Sequence, residues 1–357
     1  MTPRTPLARF LAALVPLALV AGACGGDDTT TDATATTAEA PAGEEAAVSG
    51  VELPEGWAEL LDELRCDDTS VGEFPRTVAH DGGETTIEAA PERIVSIEGT
   101  TSLDLLLLMG ITPAAAGGDE EGPAVHPWQA HLAGGTPTDP GFDLIQKRPE
   151  VNVEAIAAAR PDLIISQSGW LEGIEPRLRE LGVPIVVFDW DDSGNPPDWR
   201  DNARIVAEAT GRDACDEEIV ATVESGIAEA RAALEAAGAT EQTYGAFMAL
   251  DGYTAYYGAK DPIGQTLQDE LGLTLEPADG AQTEFSLELA GEVLTADVLF
   301  ATDFDGDGST QAFLEAPTVA PVADRVQVLG PDLAAVAYYP SPLGVRLFVH
   351  ELQERLS

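Results

Sequence analysis

The sequence predicts an α/β chain of two lobes, each a mostly parallel sheet flanked by helices, with one long helix between them. Three observations predict it. From residue 91 onward, short apolar runs rich in Ile, Val and Leu alternate with helical patterns, which is how a parallel sheet covered on both faces reads in sequence. Beyond Gly238 the same alternation restarts, and the body beyond the leader exceeds one typical domain of about 100 to 200 residues. Between the halves, the proline-free stretch 215–237 places Ile219, Val220, Val223, Ile227 and Ala230 at helical spacing.

The elements follow in order. Arg4 and Arg9 precede an apolar run over 10–20 and the small residues Ala21, Gly22 and Ala23. These are the three zones of an export signal, residues 1–23. The apolar run is short of the roughly 20 residues that span a bilayer. Cys24 follows directly, in a context that resembles the bacterial lipobox, where the thiol receives a diacylglycerol; Ala21 stands where that motif prefers Leu. Residues 24–53 are then a lipidated Cys and a disordered tether, since from Gly25 to about Gly50 no aromatic residue offers surface to bury.

The first lobe, 54–213, opens with a hairpin over 76–87 that turns at His80-Asp81-Gly82-Gly83. A strand at 91–97 leads to a helix starting at Thr100 or Thr101 and closed by Gly110. A strand over 111–116, a loop holding His126, Trp128 and His131, and a helix from Asn152 that ends before Pro161 come next. Strands at 163–166 and 184–189 enclose a helix at 174–181, and a helix over 199–210 precedes the long one, assigned to 214–238. The second lobe, 239–357, reads as strands at 244–250 and 298–302, helices at 263–271 and 287–294, strand-like pieces at 326–329 and 335–338, and a terminal helix at 344–356. The halves echo one another: Asn152-Val153-Glu154 and Ser286-Leu287-Glu288 each precede an apolar strand, with a capping side chain and a carboxylate in the first helical turn.

Charge excludes one class of partner. The formal net charge is −45, with 63 acidic residues against 18 basic ones, and a nucleic acid needs a basic surface. Lys147 and Lys260 are the only lysines. With Cys24 assigned to lipid, Cys66 and Cys215 remain; in an oxidising compartment they most simply form one disulfide, free thiols being the alternative.

At this point the chain resembles the substrate-binding proteins of bacterial ABC importers for iron-siderophores and cobalamin, over roughly residues 75–357. The likeness is carried by Pro91-Glu92-Arg93-Ile94-Val95 leading to Leu107-Leu108-Met109-Gly110-Ile111, and by Asn152-Val153-Glu154-Ala155-Ile156 with Arg160-Pro161-Asp162-Leu163-Ile164-Ile165. At 295–299 Ala296 replaces the proline of the family's second Pro-Asp pair. The resemblance implies two lobes joined by one rigid helix, a ligand held between them, and no enzymatic activity. It implies a protein lipid-anchored at the outer face of the cell membrane, working with an ABC permease dimer and its ATPase. It also carries over Glu154 and Glu288 as docking points for permease arginines; helix-dipole complementation is the plainer role for both.

Ligands of open α/β sheets bind beyond the carboxyl ends of the strands. That rule selects Glu98, Thr100, Trp170, Trp190, Tyr253, Tyr256, Tyr257, Tyr338 and Tyr339, with Trp128 and Arg346 beside them. Aromatic faces with polar edges suit a rigid chelate or a corrin ring. Basic residues are scarce there, which favours a hydroxamate or mixed siderophore over a strongly anionic catecholate. No intrinsic cofactor is expected, the guest being an Fe(III)-siderophore, with cobalamin or haem as the alternative. Asp303, Asp305 and Asp307 imitate the start of a calcium loop, but Leu314 occupies its twelfth position, and a solvated acidic loop is the simpler reading. A bare-metal receptor would need ligands from both lobes, yet none of His80, His126, His131 and His350 lies at a second-lobe strand end. A secreted hydrolase finds no Gly-x-Ser-x-Gly elbow and no His-Glu-x-x-His.

Overall fold

Two open sheets, formed one after the other along the chain, carry the architecture. The computed structural model describes residues 52–118, 124–146, 151–188, 198–250, 252–277 and 283–357, all within one compact unit, 47–357. The leader, the lipobox with Cys24, and Trp190 lie outside the described residues.

Helix α1 (Trp57–Leu64) precedes an antiparallel hairpin of β1 (Arg76–His80) and β2 (Gly83–Ile87), with Arg76 opposite Ile87. The first sheet follows: β3 (Ile94–Ser96), β4 (Ala115–Gly118), β5 (Asp143–Gln146), β6 (Leu163–Gln167) and β7 (Ile185–Phe188), all parallel in the order β5-β4-β3-β6-β7. Every residue of β3, β4, β6 and β7 is buried, which explains why they read as unbroken apolar runs. Helices α2 (Thr101–Leu108), α3 (Pro127–Ala133), α4 (Val153–Ala158), α5 (Ser168–Leu171) and α6 (Glu175–Arg179) make the crossovers. All eight residues of α2 are buried, the polar Thr101, Ser102 and Asp104 among them.

Helix α7 (Trp199–Thr210) leads to α8 (Asp213–Ala236), 24 residues and hence about 36 Å long. Its buried side, from Cys215 through Ile219, Val223, Ile227 and Ala230 to Leu234, follows the stripe that the sequence spacing predicts, except that Val220 is only partly buried. The second sheet contains β8 (Thr243–Leu250), β9 (Tyr253–Tyr257), β10 (Thr274–Leu275), β11 (Thr283–Glu284), β12 (Val298–Thr302) and β13 (Val326–Leu329). Its order is β11-β9-β8-β12-β13, with β10 also on β8; β8, β12 and β13 run parallel and β9 antiparallel. Helices α9 (Pro262–Gln265), α10 (Ala290–Val293), α11 (Ser309–Leu314), α12 (Pro331–Tyr338) and α13 (Pro342–Leu356) complete the chain.

Five local readings are corrected. Residues 335–338 belong to a helix, because Gly330 and Pro331 start α12 and its alanines propagate it. The loop around Trp128 is helix α3: Pro127 occupies its first turn and Gln129 closes a capping box with His126. The strand expected at 111–116 begins only at Ala115. The single helices expected at 263–271 and 287–294 are each broken, the first into α9 and a π-turn at Thr266–Glu270, the second into a 3-10 turn at Leu287–Leu289 and α10.

One buried cluster runs from α1, α2 and α7 through α8 and α13 to the second sheet. Each sheet has a further cluster on its other face, around Ile156, Ile164 and Leu178 in the first and Phe247, Leu299 and Phe313 in the second. Each fully buried Leu, Ile or Phe in them contributes about 1.5 to 3 kcal/mol. The terminal helix α13 packs on α8 and α12, and also on α1, α2 and α7 of the first half. The chain therefore crosses between halves twice, once in α8 and again at residues 339–341.

Candidate functional site

In the first sheet the strand order reverses between β3 and β6, and the crevice beyond such a reversal is where open α/β sheets take ligands. Two loops end there. In the loop after β3, Gly99 has φ 66°, and a Cβ on it would lie 1.9 Å from the Gly117 carbonyl oxygen. Only glycine lets this loop cross the end of β4. Glu98 is buried, and its Oε1 accepts a hydrogen bond from the Ser102 N–H at 2.6 Å, in the first turn of α2. Thr100 stands at the helix cap but makes no side-chain capping bond. After β6, Gln167 is 5% exposed, and among the described residues its Nε2 has no partner. Trp170 is half-buried against the cluster around Leu178.

The second half supplies an aromatic group. The Tyr338 ring lies 6.0 Å from Tyr257, 5.4 Å from Phe304 and 5.7 Å from Tyr339. Tyr253 and Tyr257 share a face of β9, whereas Tyr256 points to the opposite face and packs near Phe247. Tyr257 is fully buried and shares a hydrogen bond of 3.0 Å with Thr302 Oγ1. Burial raises the hydroxyl pKa of Tyr253, Tyr257 and Tyr338 above the ordinary tyrosine value. The negative charge of Asp261 adds to each of these shifts. Asp261 is itself pushed up to about 6 by burial, partly offset by the Gly258 N–H at 2.7 Å. The sequence reading missed Asp261; the available cue was an Asp preceding Pro262 at a helix start.

Two expected cleft residues sit elsewhere. Trp128 is 1% exposed, its ring stacked on His126 at 4.2 Å and its Nε1 donating to Asp104 at 3.1 Å; it is a core residue of α3. Arg346 lies on α13 against Gly226 of α8, with Glu63 at 3.8 Å, away from the strand ends. Asp303 and Asp307 accept from the backbone of their own loop, Gly306 N–H at 3.1 Å and Ser309 N–H at 2.8 Å. Among the described residues no three His, Cys, Asp or Glu side chains gather as a metal site.

A cavity of about 370 Å³ opens between α7, α8, α9 and the crossing at Tyr339 and Pro340. Both of its arginines are engaged. Glu270, in the π-turn, accepts from Trp199 Nε1 at 2.9 Å and from both Arg200 amines at 2.7 and 3.2 Å, and Arg231 donates to the Asp269 and Glu270 carbonyls. Arg200 also stacks on Trp199 at 4.0 Å. This is a clamp between halves, and among the described strand-end candidates Tyr339 is the one that reaches it.

Of the proposed docking pair, Glu154 is exposed and receives Arg177 Nη2 at 2.6 Å, and Asn152 caps its helix by accepting from Ala155 N–H. Glu288 is fully exposed; its own backbone N–H and then the Ser286 hydroxyl hold its carboxyl below the usual range. Cys66 and Cys215 are bridged, with Cα atoms 5.5 Å apart.

Over residues 94–320 the chain matches the family described as periplasmic binding protein. The chain belongs to that family. Among relatives, the probable siderophore-binding lipoprotein YfiY of Bacillus subtilis is 29% identical over 66% of this chain and 71% of its own length. The Fe(3+) dicitrate-binding periplasmic protein FecB of Escherichia coli is 30% identical over 32% of this chain and 36% of its own length. A periplasmic solute-binding protein from Mycobacterium smegmatis superposes with a TM-score of 0.65 at 26% identity, over 81% of this chain and 98% of that one. Streptococcus pneumoniae PiaA, solved with ferrichrome, shares the fold with a TM-score of 0.61 at 22% identity, over 78% and 97%. Periplasmic binding proteins are extracytoplasmic solute-binding proteins. No helix among the described residues is long and apolar enough to cross a membrane.

Proposed function

We propose that this protein captures a ferric siderophore at the strand ends between its halves and delivers it to an ABC importer. The observation that carries the reading is the partly exposed tyrosine group of the second half, Tyr253, Tyr338 and Tyr339, with the buried Tyr257 ring behind Tyr338, Asp261 nearby and no Arg or Lys in the segments 97–101, 167–171, 252–254, 303–305 and 338–339. Carboxylate and phenol groups without a basic cluster disfavour a strongly anionic guest. A hydroxamate or mixed chelate fits them better. YfiY and PiaA, each described with a siderophore, support the class. Cys24 carries the lipid that holds the protein at the outer face of the membrane, and Glu154 and Glu288 meet arginines of the permease.

The test is a titration of the protein with ferrichrome, a ferric catecholate, haem and cobalamin, followed by tryptophan emission. Saturable quenching by ferrichrome at the lowest concentration is the expected result; a preference for haem or cobalamin would replace the siderophore reading. For docking, Glu154→Lys with Glu288→Lys should abolish uptake while chelate affinity stays unchanged. Uptake that survives the double reversal refutes the assignment.

A further inference from the structure

Asp104 stands alone as a carboxylate in a helix of leucines, 3% exposed. It accepts three hydrogen bonds: at Oδ1 from Trp128 Nε1 (3.1 Å) and Gln129 Nε2 (2.8 Å), and at Oδ2 from Ser341 Oγ (3.1 Å). Each partner leads onward. Gln129 Nε2 also reaches the Gly99 carbonyl oxygen at 3.2 Å. Ser341 Oγ accepts from the Gly344 N–H at 3.0 Å and so caps α13. A buried polar chain therefore runs from Gly99, in the loop that holds Glu98 and Thr100, through Gln129 and Asp104 to Ser341. There the backbone crosses from α12 to α13, directly after Tyr338 and Tyr339.

Packing alone gives no reason for this carboxylate, since burying one is costly and a leucine would match its neighbours. A satisfied buried network does, however, hold the groups it joins in one arrangement. We infer that Asp104 is a positioning residue for the ligand site, coupling the setting of the crossing at 339–341 to that of the Glu98–Thr100 loop. The inference rests on the reading that ligand binds at the strand ends. The direction of its last bond depends on charge. While Asp104 is ionised, Ser341 donates to it; once Asp104 is protonated it must donate to Ser341 Oγ, and the serine proton needs another acceptor.

The other charged groups on the elements around it are engaged elsewhere. On α3, His126 stacks on Trp128 and His131 meets Asp62. On α7, Arg200 meets Glu270 and Arg204 lies between Asp201 and Glu208. On α13, Arg346 faces Glu63, His350 faces Gly56 and Glu351 takes the Trp57 N–H. Glu98, at the start of α2, is the one that acts on Asp104 through its charge.

The test compares the full chain with Gln129→Met, Ser341→Ala and the pair, each titrated with ferrichrome. Coupling through Asp104 predicts about tenfold weaker binding for each change and about tenfold, not a hundredfold, for both together. Independent losses that multiply, or unchanged affinity in Ser341→Ala, overturn the inference. A second arm needs no ligand. Hydrogen exchange at 99–102 should quicken about tenfold in Ser341→Ala, and the Trp128 indole N–H resonance, identified by Trp128→Phe, should shift. Ser341→Thr, which keeps a hydroxyl, should restore both. If ferrichrome fails to bind the wild type while this arm responds, the ligand reading falls and the coupling stands; if this arm is silent, the coupling is wrong.

Discussion

Replacing Asp104 by Asn should remove a distinct pH dependence from the stability of the fold. Burial pushes the Asp104 carboxyl up to about 7 from an ordinary 3.8, against the pull of hydrogen bonds from Gln129, Trp128 and Ser341. The native chain thus keeps this proton to near neutrality, while the unfolded chain gives it up near pH 4. Between those limits the native state binds more protons, so its stability falls as pH rises and levels off above about 7. A displacement of about 3 units corresponds to about 4 kcal/mol. Asp216 and Asp261, each raised by burial to about 6, act with the same sign, and His80, lowered by burial, acts oppositely. The difference between wild type and Asp104→Asn isolates the one group. Urea unfolding followed by tryptophan emission from pH 4 to 8.5 should show the wild type losing about 4 kcal/mol more than the variant across that range. Parallel curves would refute the assignment of a buried, proton-retaining carboxyl at this position.

Other outcomes follow from the geometry. The Cys66–Cys215 bridge closes a loop with a sequence separation of 149, so the double Ala variant should lose about 5 kcal/mol and about 8 °C of Tm by calorimetry; an unchanged melt would show that the cross-link does little. Gly99→Ala places a methyl 1.9 Å from the Gly117 carbonyl oxygen in left-handed backbone, so it should cost at least about 2 kcal/mol and weaken ferrichrome binding, read by denaturation and titration. Glu270→Ala leaves the Trp199 N–H and two Arg200 amines without their carboxylate, with an expected loss of about 1.5 to 3 kcal/mol. Solution scattering should then report a wider distribution of separations between the halves, and an unaltered profile would show that the clamp does not set it.

Much of the architecture was legible because burial on both faces leaves a plain trace. The strands at 163–167 and 185–188, and the helices at 199–210 and 213–236, were visible as apolar runs and helical stripes. What escaped was short or depended on distant partners. The seven residues of α3 offer too little periodicity, and only Pro127 and the cap pair His126 and Gln129 mark them. Helix α12 reads like a strand because Ala335 to Ala337 are buried on every side, which erases the amphipathic pattern. At the site, listing aromatics near strand ends found Tyr253, Tyr338 and Tyr339 but could not know that Tyr256 faces the other way or that Trp128 is covered. Asp104, Asp261 and Glu270 were missed because their roles lie in what reaches them from residues far away in sequence.

The return of α13 to the first half also decides how this molecule could be turned into a sensor. Trp57 Nε1 in α1 donates to Glu351 Oε1 in α13 at 2.9 Å, so the beginning and end of the folded body are stapled together on one side of any hinge. Fluorophores fused there would report little, however far the halves swing. A dye pair on the two glutamate turns at 154 and 288, one in each half, would instead report any change in the separation of the halves.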